Sequence, residues 1–198
     1  VMCSPTGSIL CHREAHIERD ERGAPEFFTG GARLHRLDGP SAQIEEQALR
    51  DALAGINRDF VHETPAETLS LTNLSESGTA NSVEREAHYA SLAHGADLKV
   101  HLDGARLANA LVARGCSAAE MSWKLGIDLV SFGGTKNGLM GAEAVVIFDP
   151  ELAWQFELRR KRGGHLFSKS RYLSAQMDAY LTDDIWLEMA TAANAAGH

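Results

Sequence analysis

Lys136 sits in "LVSFGGTKNGLMG" (Leu129 to Gly141), where an apolar run ends in glycines and leaves one cation with almost no side-chain cover. A lysine amine attacks a carbonyl carbon only when neutral. Its ordinary pKa of about 10.4 must therefore be lowered by desolvation or a neighbouring cation before it can form a Schiff base. A glycine-rich turn fed by an apolar strand admits a flat ligand close to the backbone. Its N–H groups, with the Thr135 hydroxyl, offer themselves to an anion. The second candidate is Asp103 in "VHLDGAR", followed three residues later by Arg106. A carboxylate placed there can hold a protonated ring nitrogen, or it can form a plain salt bridge with Lys136.

For these groups to meet, their strands must share a sheet. Strand-like runs are "SILCH" (Ser8 to His12), "TLSLTNL" (Thr68 to Leu74), "LKVHLDG", "DLVSFGG" and "EAVVIFD". Helical patterns separate them. "SAQIEEQALRDALAGI" has a cap site at Ser41 and apolar residues at Ile44, Ala48, Leu49, Ala52, Leu53 and Ile56. "SVEREAHYASLAHG" is closed by Gly95, "ARLANALVARG" by Gly115, and "SAAEMSWKLG" reads as a short helix. After Pro150 the pattern is helical throughout. Alternation of this kind predicts an α/β fold, a mostly parallel sheet with helices on both faces and an all-helical C-terminal segment. Ligand sites in such sheets lie at the carboxyl ends of the strands, which is where Asp103 and Lys136 fall. The pattern divides the chain into an α/β domain over residues 1–150 and a helical segment over 151–198. Both ends read as cut, the first running almost at once into a strand and the last stopping inside a helical pattern.

Composition narrows the class. The chain has 198 residues, 44% hydrophobic and 23% charged, an ordinary globular balance. A net charge of -8 argues against nucleic acid or an anionic membrane as partner. No apolar run approaches the roughly 20 residues of a membrane span. Cys3, Cys11 and Cys116 are sparse and lack metal spacing, which suggests free thiols and a cytoplasmic setting.

An amine that captures an aldehyde, beside a carboxylate that keeps a ring nitrogen protonated, is what pyridoxal 5'-phosphate requires. "HLDGARLANA" together with "DLVSFGGTKNGLMGAEAVVIF" resembles the low-specificity threonine aldolases. These belong to the aromatic-amino-acid β-eliminating lyase/threonine aldolase group of pyridoxal-phosphate enzymes with the aspartate-aminotransferase fold. "CHREAHIERDERGAPEFFTGGARL" and "RRKRGGHLFSKSRYLSAQ" carry the same likeness, which runs from about Ser8 to the end. The resemblance implies that Lys136 is the Schiff-base lysine and that Asp103 pairs with the pyridine nitrogen. Arg106 would lie beside the ring, near its 3-hydroxyl or the substrate carboxylate, and Thr135 would touch the cofactor. His16 would stack on the ring and pass a proton. Lys169, Arg171 and Arg162 would approach a substrate carboxylate. The implied reaction is cleavage of a β-hydroxy-α-amino acid (threonine, allo-threonine or phenylserine type) to glycine and an aldehyde, by a homodimer or homotetramer.

Other readings stand beside this one. β-Elimination would use the same scaffold and lysine, and a truncated chain could bind cofactor without catalysis. His12 and His16 have metal-like i, i+4 spacing, but "HREAH" satisfies neither H-E-x-x-H nor H-x-x-E-H. No G-x-G-x-x-G follows the first strand, which weighs against a nicotinamide site. The sequence also departs from the family pattern. The loop "LSESGTANS" carries Glu76 where many members place a histidine. The family's phosphate-binding turn lies upstream of "SILCH" and its carboxylate-binding arginine lies downstream of this chain. "CSPTG" reads as a connecting turn. The stripe Trp154, Phe156, Leu158 is expected in the core or at a subunit contact, and Trp186 likewise.

Overall fold

The computed structural model describes residues 1–197. Six strands form one sheet: β1 (Ser8–His12), β2 (Arg33–Leu37), β3 (Ala66–Thr72), β4 (Lys99–Gly104), β5 (Leu129–Gly133) and β6 (Glu143–Ile147). The helices are α1 (His16–Arg19), α2 (Ala24–Thr29), α3 (Glu46–Ala54), α4 (Val83–Gly95), α5 (Leu107–Arg114), α6 (Pro150–Arg162), α7 (Arg171–Leu181) and α8 (Ile185–Ala196). The spatial order is β2-β1-β3-β4-β5-β6. The first five strands are parallel, and β6 returns antiparallel to β5.

Register follows from which side chains can be buried. Leu69, Leu71, Val100, Leu102, Val130 and Phe132 join Tyr89, Ala90 and Ala93 of α4 and Leu107, Ala108 and Leu111 of α5 in one core. The alternate positions carry Ser70, Thr72, His101, Asp103 and Ser131 on the opposite face. A slip of one residue would exchange these sets and drive polar groups into the core, at a cost of roughly 2 kcal/mol per displaced leucine. The register is thereby fixed, and Asp103 lies level with Ser131 of the neighbouring strand.

Several elements differ from their expected form. The strand β2 was not anticipated; its residues are mostly exposed on the sheet's edge, so "RLHRL" lacks an apolar signature. The helix expected from Ser41 starts only at Glu46. Ser41 has φ 55, outside the range of a helix cap, and the Ile44 carbonyl is taken by the Tyr89 hydroxyl at 2.8 Å. "SAAEMSWKLG" winds into a single 3-10 turn, Trp123–Leu125. Trp154 is 68% exposed and Leu158 46%, so that stripe is not core, whereas Trp186 is buried against Phe132. Among the described residues no helix is long and apolar enough to cross a membrane, and the three cysteines are free.

Candidate active site

The parallel strands β1, β3, β4 and β5 bring their carboxyl ends to one edge. Asp103 ends β4, and Lys136 lies three residues beyond β5, in the 3-10 turn Thr135–Asn137. Two glycines let these loops touch. A side chain at Gly133 would place its Cβ 2.6 Å from the Ala105 Cα and nearer still to the Ala105 carbonyl oxygen. One at Gly104 would stand 3.0 Å from the Ser131 carbonyl oxygen. The "DGAR" and "GGTK" backbones therefore pack directly on one another.

Asp103 Oδ1 accepts the Ala105 N–H at 3.1 Å, and no ion pair involves Asp103 among the described residues. Its backbone carbonyl accepts the Asn73 N–H, which ties the end of β3 to that of β4. Asn73 is fully buried and exchanges hydrogen bonds with Asn81, whose side chain reaches the Thr72 carbonyl. The loop they brace carries Glu76, and Glu76 Oε1 pairs with Arg106 Nη1 at 3.3 Å. Arg106 is thus held at the strand edge by an acid from the next loop.

Lys136 is exposed and takes part in no ion pair among the described residues. Both of its neighbours are fixed. The Asn137 side chain is buried and donates to the Tyr180 hydroxyl (2.6 Å) and the Trp186 carbonyl (2.8 Å). On the other side, the Gly134 and Thr135 N–H groups donate to the two carboxylate oxygens of Glu143 on β6, at 3.2 and 3.1 Å. The Thr135 hydroxyl donates to the Ala142 carbonyl. The donors expected for an anion at this turn are present, and an internal carboxylate and the Ala142 carbonyl accept from them.

His16 opens α1 beyond β1, with β3 intervening before Asp103. Its Nδ1 lies 3.2 Å from Asp20 and its Nε2 2.7 Å from Glu21, so both nitrogens face carboxylates. His12 is buried; its Nδ1 accepts the Glu14 N–H and its Nε2 donates to the Gly39 carbonyl. That arrangement serves the turn after β1. No cluster of three metal-ligating side chains occurs among the described residues. Lys169 and Arg171 are exposed on the segment entering α7, with Arg171 over the Tyr172 ring, and no hydrogen bond or ion pair joins them to Asp103 or Lys136. Arg162 closes α6 at the Gly163 cap. "CSPTG" lies at the opposite edge, before β1, where Ser4 donates its N–H and hydroxyl to Glu67.

Asn137, Glu143 and Asn73 were not anticipated. The adjacency of Asn137 to the lysine was a visible signal; the partners of Glu143 and Asn73 depend on pairings made only in the fold. A further unanticipated feature is a row under Asp103, with Ser70 Oγ 2.9 Å from His101 Nδ1 and Ser131 Oγ 2.9 Å from His101 Nε2. Burial pushes the His101 imidazole below its usual range, and the Asp103 charge opposes that shift. Behind the β3–α4 loop, Glu86 is buried with both oxygens unpaired, next to a cavity of about 20 Å³ that His12, Asn81 and Thr72 also line. Burial raises its carboxyl to about 7, with nearby Asn81 and Arg85 offsetting part of the shift.

The donor set suits pyridoxal phosphate at two points: a lysine amine without a competing carboxylate and an aspartate oxygen free to take a ring N–H. It does not suit the phosphate at the Lys136 turn, where Glu143 stands.

Comparison with known proteins gives the family of the chain. The family model described as "Beta-eliminating lyase" matches residues 1–196. The chain is 38% identical over 193 residues to the low specificity L-threonine aldolase of Pseudomonas aeruginosa, covering 98% of the chain and 55% of that relative. It is 36% identical over 193 residues to the enzyme of the same name from a Pseudomonas species, with the same coverage. The chain thus spans about half the length of these curated relatives. In structure it is similar to Leishmania major threonine aldolase, with a TM-score of 0.88, 23% identity, and coverage of 98% of this chain and 55% of that one.

Proposed function

The chain belongs to the beta-eliminating lyase family, and from that premise we propose that it is the cofactor-binding part of a pyridoxal-phosphate-dependent aldolase. The protein would cleave a β-hydroxy-α-amino acid to glycine and an aldehyde. The observation that carries the reading is the direct packing of the Asp103 and Lys136 loops through Gly104 and Gly133. That contact places an amine and a carboxylate on neighbouring strand ends.

When bound, pyridoxal phosphate supplies an aldehyde that an amine can capture and a ring that accepts an electron pair. Lys136 Nζ would hold the cofactor through its aldehyde carbon. The free Asp103 oxygen would keep a proton on the ring nitrogen. Arg106, oriented by Glu76, would hold a carboxylate or the ring hydroxyl. His16 would lie against the ring. To take the β-hydroxyl proton it must first release Asp20 or Glu21. Residues 1–150 form the cofactor-binding domain in this reading, and Lys169 and Arg171 would meet a substrate carboxylate only through rearrangement of their exposed segment. A homo-oligomer in the cytoplasm completes the proposal.

The test is chemical. Pyridoxal phosphate is added, the mixture is reduced with borohydride, and the label is mapped by peptide mass. A label on Lys136, absent from Lys136→Ala, supports the reading; a label spread over surface lysines sinks it. β-Elimination remains a second reading because the matching family model carries that name. Glycine and an aldehyde, as against ammonia and a keto acid, separate the two.

A further inference from the structure

The Lys136 turn has the form of an anion site whose anion is part of the chain. Gly134 and Thr135 present successive N–H groups, and the Glu143 carboxylate accepts one with each oxygen, at 3.2 and 3.1 Å. Glu143 can do so because β6 runs antiparallel to β5, which sets it level with Gly133, the residue just before the turn. Beyond the lysine, Asn137 is anchored to Tyr180 and Trp186. The backbone is fixed on both sides of Lys136 while its side chain stays unpaired. The same device recurs at the opposite edge, where Glu67 accepts the Ser4 N–H at 2.6 Å and the Ser4 hydroxyl at 2.7 Å.

We propose that Glu143 is a positioning residue for Lys136: its carboxylate fixes the turn and fills the anion pocket there, so that a phosphate or carboxylate ligand is turned away from that side. Charge-assisted hydrogen bonds to backbone N–H groups are stronger and more directional than neutral ones, which suits a positioning role on an exposed turn. Negative charge in the pocket also repels a second anion. The link to cofactor capture rests on the reading of Lys136 given above; the occupancy of the pocket does not.

The two parts are tested separately on the 198-residue chain. In amide NMR, the Gly134 and Thr135 resonances should titrate together as one carboxylate is protonated. That titration should vanish in Glu143→Gln and Glu143→Ala. Inorganic phosphate should shift both amides saturably in Glu143→Ala and leave them unmoved in the wild type. Borohydride trapping of pyridoxal phosphate on Lys136 should slow about tenfold in Glu143→Ala. Glu143→Gln, which keeps one acceptor oxygen, should restore part of the rate. Wild-type amides that do not titrate, phosphate shifting the wild type as strongly as the variant, or unchanged trapping in Glu143→Ala would each overturn the proposal. If the wild type traps no cofactor on Lys136, the functional reading falls, and the amide titration still decides the role of Glu143.

Discussion

The two halves of the sheet's carboxyl edge are built differently. On the β3–β4–β5 side, the loops are tied by backbone or buried groups, Asn73 to Asp103, Gly133 against Ala105, Asn137 to Tyr180 and Trp186, with the Arg106–Glu76 ion pair added to them. On the β1–β2 side, buried His12 ties the turn after β1 to Gly39, and the remaining ties, those of His16 included, are ion pairs between partly exposed side chains: His16 with Asp20 and Glu21, Arg13 with Asp38, Arg36 with Glu18. Buried polar groups lose about 1–3 kcal/mol each when a partner is removed, whereas exposed pairs are worth about 0–1 kcal/mol. Lys136 and Asp103 therefore stand on a rigid mount, and His16 on an adjustable one. A residue that must grip a ligand at a fixed point benefits from the first, and one that must exchange partners benefits from the second.

The sharpest way to break this contrast is Gly133→Ala. Its Cβ would overlap Ala105 backbone, and unfolding in urea should show a loss of about 3 kcal/mol. Glu86 gives the next effect. Its carboxyl, raised to about 7 from an ordinary 4.5, holds a proton in the folded chain that the unfolded chain releases. Its contribution is whole below pH 4.5 and is lost as pH rises through about 7, so stability falls with pH across that window by on the order of 3 kcal/mol. Glu86→Gln should flatten that slope; an unchanged slope would show the carboxyl is already ionised. Asn137→Ala should cost about 2 kcal/mol, because the Tyr180 and Trp186 groups lose their partner. On the other half, His16→Ala should change stability by under about 0.5 kcal/mol. A larger loss at His16 than at Asn137 would reverse the comparison.

Much of the rigid half was legible in the sequence. The apolar strands and the glycines after them announce a parallel sheet, and Asp103 and Lys136 lie at its carboxyl edge as expected. What could not be read depends on non-local partners. The role of Glu143 requires the antiparallel return of β6, and that of Asn137 requires α7 and α8 to fold back on β5. The strand β2 escaped notice because an edge strand with exposed arginines and a histidine lacks the apolar alternation that marks a buried strand. The late start of α3 was hidden because Ser41, a good cap by type, sits at positive φ. The exposed stripe at Trp154 shows the converse: apolar spacing predicts a face and does not say what covers it.

The Ser70–His101–Ser131 row beneath Asp103 has a consequence for how the site meets a change of charge. A neutral imidazole donates from one nitrogen and accepts at the other, while each serine hydroxyl can turn to do either. Two proton arrangements therefore share the same heavy-atom positions, and the dipole of the row points in opposite directions in the two. When charge appears or disappears above Asp103, the strands need not shift. Both serine hydroxyls turn, and the imidazole changes tautomer by losing a proton from one ring nitrogen and gaining one at the other, a dielectric response from a mechanically stiff support.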